Sequence, residues 1–167
     1  MTLDRLWAGW RGAYVSEAAA PAGDDCVLCR ITTRGSPEDD AARYVVWRGE
    51  LTAAVLNAFP YTSGHLMVAP LRHVGEVEDL LADEADELWL AMTDAVRALK
   101  GAYRPAGLNM GFNLGRAAGA GVPGHLHAHV LPRWEGDANF MTAVAEVRVM
   151  PEALPDTWAK VRAAWPT

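Results

Sequence analysis

The chain has 167 residues, 51% of them apolar and 22% charged, and a net charge of −6. That length suits one domain with a short appendage and permits a real hydrophobic core. The acidic balance excludes broad electrostatic binding of DNA or RNA, which needs basic patches. No apolar run reaches the roughly 18 residues of a membrane span. Met1 to Tyr14 lacks the basic-then-apolar order of a signal peptide, so a cytoplasmic location is expected.

Residues 15–40 are rich in Ala, Pro, Gly and Asp and read as an irregular segment. They carry the only two cysteines, in Cys26-Val27-Leu28-Cys29. In a reducing compartment this spacing reads as half a zinc site or a redox pair, with two free thiols as the plain alternative. No βαβ pattern follows, which disfavours a thioredoxin-type site. Tyr44 to Trp47 and Leu51 to Leu56 read as strands joined by a turn at Arg48-Gly49-Glu50. Asn57 to Gly64 reads as a loop, and His65 to Ala69 as a short strand stopped by Pro70.

Gly75 to Tyr103 reads as the long helix. Leu81, Ala85, Leu88, Met92, Ala95 and Leu99 form one apolar stripe at spacings of four and three. Acidic residues crowd its first half, read as a solvated face, and basic ones its end, as the helix dipole favours. Leu108 to Leu114 reads as a strand, Gly115 to Gly124 as a glycine-rich loop, and His125 to Leu131 as a strand ended by Pro132. A strand over Thr142 to Met150 and a helix from Pro151 to Trp165 complete the chain. Strands and helices are segregated, so the class is α+β with a mainly antiparallel sheet. The organisation expected is an N-terminal segment over 1–40, a central domain over 41–140, and a strand-and-helix extension over 141–167.

Three of the five histidines lie in His125-Leu126-His127-Ala128-His129. On a strand, alternation puts all three on one face and Leu126, Ala128 and Val130 on the other. His65 and His73 sit close together elsewhere. Histidine serves as ligand, base or nucleophile near neutral pH. The glycine loop just ahead offers unobstructed backbone N–H groups suited to phosphate oxygens. Together they suggest attack at phosphorus.

His125-Leu126-His127-Ala128-His129-Val130-Leu131-Pro132 resembles the signature of the histidine triad (HIT) family. Asn57-Ala58-Phe59-Pro60, Gly64 to Pro70 and His73 match a second stretch of that family. The continuation Pro132-Arg133-Trp134 with Gly136 to Phe140 is similar to the bacterial branch that includes diadenosine tetraphosphate phosphorylases. The resemblance implies a five-stranded sheet with one long helix, a homodimer, and a nucleotide substrate, with adenine favoured. It implies that His127 attacks the α-phosphorus to form a nucleotidyl-histidine, that His129 contacts the scissile phosphate, and that His65 supports them. Asn57 corresponds to a ribose-binding position, and Asn113 and Gly121 to the phosphate side of the pocket. Zinc-bearing branches use a Cys-x-x-Cys, a later His and the first triad His, which carries over to Cys26, Cys29, His73 and His125 as ligands of a structural zinc.

One departure stands out. Arg116 to Gly124 holds no Ser or Thr, whereas the family commonly places a hydroxyl there, aimed at the leaving group. Phosphate and water both remain as acceptors. The other readings weighed are a nucleoside phosphoramidate hydrolase of the same family, a metalloenzyme binding catalytic zinc through His125, His127 and His129, and a nucleotide sensor without turnover. Trp7, Trp10, Trp158 and Trp165 read as packing or dimer contacts. Trp134, directly after the triad strand, reads as meeting a base or a partner subunit.

Overall fold

The computed structural model describes residues 26–33, 35–137 and 150–166. Its helices are α1 (Val27–Thr32), α2 (Pro37–Ala42), α3 (Ala82–Tyr103) and α4 (Leu154–Ala163). Its strands are β1 (Val45–Arg48), β2 (Thr52–Leu56), β3 (Leu66–Pro70), β4 (Gly107–Phe112) and β5 (Ala128–Arg133). They form one five-stranded sheet in the order β1-β2-β3-β5-β4, and every pairing is antiparallel. This is the α+β class expected. None of the described helices is long and apolar enough to cross a membrane.

The alternation of the strands decides where the core lies. Ala54 and Leu56, Leu66 and Val68, and Ala128 and Val130 project to one face, where they share a core with Leu88, Ala91, Met92, Ala95 and Leu99 of α3. α4 closes one end of that core through Val161. Trp165 stacks on Trp47 at 5.7 Å, and Trp158 donates its indole N–H to the carbonyl of Val45 at 2.9 Å. These two tryptophans therefore pack the core end, as read from sequence; Trp7 and Trp10 lie outside the described residues. Trp134 meets Tyr103 edge-on at 6.0 Å, so it packs on the end of α3.

Several boundaries differ from the sequence expectation. The long helix starts at Ala82, preceded by a separate 3-10 turn at Val77–Asp79. Leu81 and Ala85 are exposed, and the stripe becomes buried only from Leu88. The first turn is anchored by a polar group instead. Arg72 donates to the carboxylate of Glu84 at 2.8 and 2.7 Å and to the carbonyl of Asp79, and Glu84 accepts from the N–H of Leu81. Glu84 is 3% exposed. Glu87 accepts from the N–H groups of Leu51 and Thr52 and from the Thr52 hydroxyl. Part of the acidic face is thus a structural clamp on the sheet and not solvated surface.

The supposedly irregular N-terminal segment contains α1 and α2, the latter opened by a capping box between Ser36 and Asp39 with Pro37 behind the cap. β4 stops at Phe112, and α4 spans only Leu154–Ala163. The strand expected over Thr142 to Met150 lies, but for Met150, outside the described residues. Pro132 does not end β5: it pairs with Leu108. It is tolerated because the ladder to β3 ends at Val130, and beyond it the Pro132 carbonyl accepts from the Thr62 hydroxyl.

Candidate active site

On the sheet face away from α3 lies a cavity of about 750 Å³. β3 and β5 run side by side here, with Met67 opposite His129, and both residues line it. His127, Asn57 and Gly121 line it too. The cavity therefore collects residues from the loop after β2, the glycine loop and the start of β5.

The histidine segment is not one continuous strand. β5 begins at Ala128, and His125 and His127 precede it. The N–H of Leu126 bonds to Val74 and that of His125 to Val122. Freed from strand geometry, the three rings do not share a face. His127 and His129 line the cavity with ring centroids 5.0 Å apart. His125 turns away toward the two cysteines.

The hydrogen bonds fix the tautomers in sequence. Nδ1 of His127 lies 2.8 Å from the carbonyl oxygen of His125, so it carries the proton and leaves Nε2 with the lone pair. Nδ1 of His65 accepts from the backbone N–H of Tyr61 at 3.1 Å, so its proton is on Nε2. That N–H donates to Nδ1 of His129 at 2.9 Å. His129 is left with its proton on Nε2, beside the side-chain amide of Asn113. The amide of Asn57 stands 3.5 Å from Nδ1 of His65. Burial pushes His127 toward neutrality, only partly opposed by its bond to the His125 carbonyl. Burial, helped by the neighbouring His127, pushes His129 down to about 4. Both rings are neutral at physiological pH, one presenting a lone pair and the other an N–H.

A second cluster lies beside the first. One ligand atom from each of Cys26, Cys29, His73 and His125 falls within 4.8 Å of all the others. Nδ1 of His125 is 3.4 Å from both Sγ atoms, and Nδ1 of His73 is 3.3 Å from Sγ of Cys29. Tetrahedral coordination by sulfur and nitrogen at ordinary bond lengths puts donor atoms about 3.5 Å apart, so these side chains fit one metal ion with little movement. Nε2 of His125 donates to the carbonyl of Pro70 at 2.9 Å, the outer bond that typically orients a ligating histidine.

The candidate catalytic, nucleotide-binding and metal-ligating residues read from sequence thus come together in these two adjoining clusters. Others were missed. Val27, Leu28 and Ile31 of α1 form one wall of the cavity, and Arg43, Tyr44, Phe59 and Tyr61 also line it. Tyr44 has φ 57, a left-handed backbone uncommon for a bulky side chain. Tyr61 lies beside the rings of His65 and His129 at 4.7 and 6.2 Å. The signal available for these was proximity to the motifs: α1 carries the Cys pair, and Phe59 and Tyr61 lie between Asn57 and His65.

Comparison with known proteins gives a consistent set of relatives. The family model described as "HIT domain" matches residues 38–136. The "AP-4-A phosphorylase" of Mycobacterium tuberculosis is 41% identical over 172 residues, covering 98% of this chain and 85% of that protein. A solved structure described as a Zn-bound histidine triad family protein from Mycobacterium smegmatis superposes with a TM-score of 0.65 at 27% identity, covering 84% of this chain and 92% of the other. A member of the HIT family from Bacillus subtilis superposes with a TM-score of 0.60 at 26% identity, covering 86% of this chain and 99% of the other.

Proposed function

Because the chain belongs to the HIT domain family, we propose that it is a nucleotidyl transferase or hydrolase that cleaves nucleoside 5′-polyphosphates such as diadenosine tetraphosphate. The observation that carries this reading is the bond from His127 Nδ1 to the His125 carbonyl, which makes Nε2 a fixed, neutral nucleophile on a ring lining the cavity.

In the proposed reaction the Nε2 lone pair of His127 attacks the α-phosphorus. The bond from that phosphorus to the bridging oxygen breaks, and the departing polyphosphate takes the electron pair. The proton stays on Nδ1, hydrogen-bonded to the His125 carbonyl, and that acceptor steadies the positive charge the ring acquires. His129, its tautomer set through His65 and Tyr61, donates Nε2–H to a phosphate oxygen as charge builds there. The backbone at Gly121 and the amide of Asn113 face the same phosphates. Asn57 holds the ribose, and the apolar wall of α1 suits an adenine ring. An acceptor, phosphate or water, then attacks the phosphorus and returns the His127 lone pair; with water its extra proton leaves to solvent.

Zinc is proposed for the Cys26–Cys29–His73–His125 cluster, supported by the donor set, the spacing and the Zn-bound relative. When bound it supplies a structural cross-link between α1 and the segment before β5. A catalytic metal held by His125, His127 and His129 is not supported, because the His125 ring faces the cysteines. We read the outer edge of β4, with exposed Met110 and Leu114, as the seam of a homodimer. The protein is read as cytoplasmic, with the catalytic domain over 41–140 and the flanking segments as extensions.

The test is to replace His127 by Ala and by Asn and to follow diadenosine tetraphosphate with and without phosphate. Both variants should lose roughly 10⁴-fold or more in kcat, the scale of losing a nucleophile. The native protein should form an acid-labile AMP–histidine adduct. ADP formed only when phosphate is present assigns phosphorolysis, and AMP formed in water alone assigns hydrolysis. Full activity without His127 would overturn the assignment.

A further inference from the structure

Helix α1 touches both clusters at once. It has six residues, whereas an isolated helix needs roughly 12–15 to persist in water. What holds its ends therefore decides whether it forms. Its C-terminal end is held by two guanidiniums. Arg48 donates to the carbonyls of Ile31 and Thr32, and Arg43 to those of Arg30 and Thr33. Among the described residues, its N-terminal end has no such support. Cys26 stands at the N-cap without a side-chain capping bond, and the contacts described there are the approaches of the two Sγ atoms to His73 and His125. The opposite side of the same helix, through Val27, Leu28 and Ile31, is a wall of the cavity. Each wall residue lies within two positions of a cysteine. His73 and His125 take no part in lining the cavity, so the ion and the nucleotide would never touch.

We propose that α1 couples metal loading to nucleotide capture: an ion clamping the N-terminal end of the helix builds the wall, and a nucleotide lying against the wall holds the cysteines in place for the ion. This rests on the reading above that the cluster takes zinc and the cavity takes a nucleotide. The coupling is an equilibrium between two bound species, so it must be reciprocal. A zinc ion that merely stabilised the fold would leave nucleotide affinity unchanged in any protein that stays folded.

The experiment uses the full chain and AMP, which has no leaving group and is not consumed. Zinc content and AMP binding are first established on the loaded protein. Zinc affinity is then measured by competition with a chromogenic chelator, with and without saturating AMP, and AMP affinity by calorimetry on loaded and metal-stripped protein. Saturating AMP should tighten zinc about tenfold, and stripping should weaken AMP by the same factor, within the usual range of allosteric couplings. Ile31→Ala should shrink both factors together. Equal zinc affinity with and without AMP overturns the proposal, as does an unchanged coupling in Ile31→Ala. If the stripped protein unfolds, the competition on loaded protein decides alone. A chain that binds AMP but no zinc, or zinc but no AMP, refutes the reading of that cluster itself and removes the coupling with it.

Discussion

Gly64 immediately precedes His65 and has φ +82. A Cβ there would lie 2.9 Å from Cε2 of Tyr103, 3.0 Å from Cδ2 of Leu99 and 3.3 Å from Cγ of Pro132. Gly64→Ala therefore carries two costs. The left-handed backbone costs an alanine about 1–2 kcal/mol. The overpacking costs about 1–3 kcal/mol, because the neighbours cannot yield freely: Leu99 is fully buried, and the Tyr103 hydroxyl is tied to Glu152 at 2.6 Å. The sum is roughly 2–5 kcal/mol, which for a chain of this size lowers Tm by roughly 5–15 °C. Relief by a backbone shift would move His65 and lengthen its 2.9 Å bond to His129, so kcat should fall as well. Thermal and urea unfolding give the first number, and turnover of diadenosine tetraphosphate well below the variant's Tm gives the second. A variant within 0.5 kcal/mol of the native protein would refute the reasoning.

Three further outcomes are expected. The rate should stay level as pH falls through 6.5, where an ordinary histidine half-protonates, and drop only at lower pH, because burial keeps His127 neutral; an acid limb centred at 6.5 would contradict this. Stability should fall over a related window. Above pH 6.5 His129 is neutral in both folded and unfolded chains; below it the unfolded chain takes up a proton there that the folded chain resists down to about 4, so denaturation midpoints should decline between these values and level off beneath them. Arg72→Ala strands the Glu84 carboxylate, which Arg72 holds below its usual range. Since the Arg72 side chain is itself half-exposed, the loss of stability at pH 7 should fall short of that for a fully buried pair, and it should shrink in acid once Glu84 protonates.

Local pattern made much of this protein legible. Period-two and heptad-like spacings located the strands and the long helix, because burying one face of each is a local requirement written into every second or every third and fourth residue. The motifs around Asn57, His65 and His127 marked the residues that converge on the cavity, because the chemistry at phosphorus restricts which side chains can serve. Where pattern misled, a contact distant in sequence had taken over. Leu81 reads as the start of an apolar stripe, but Arg72 and Glu84 set the helix boundary there. His125 reads as the first of three equivalent histidines on a strand, but cysteines 96 and 99 residues earlier in the chain draw its ring to the other cluster. Its carbonyl stays behind to orient His127. The Cys pair marks the neighbourhood of Val27, Leu28 and Ile31, but not their role as a pocket wall, which they acquire only when α1 packs beside the cavity. The sequence by itself determined the fold class and the reacting residue types, through periodicity and motif. Tertiary structure alone decided which way each histidine faces and what closes the cavity, because both depend on partners brought together only by the packed sheet.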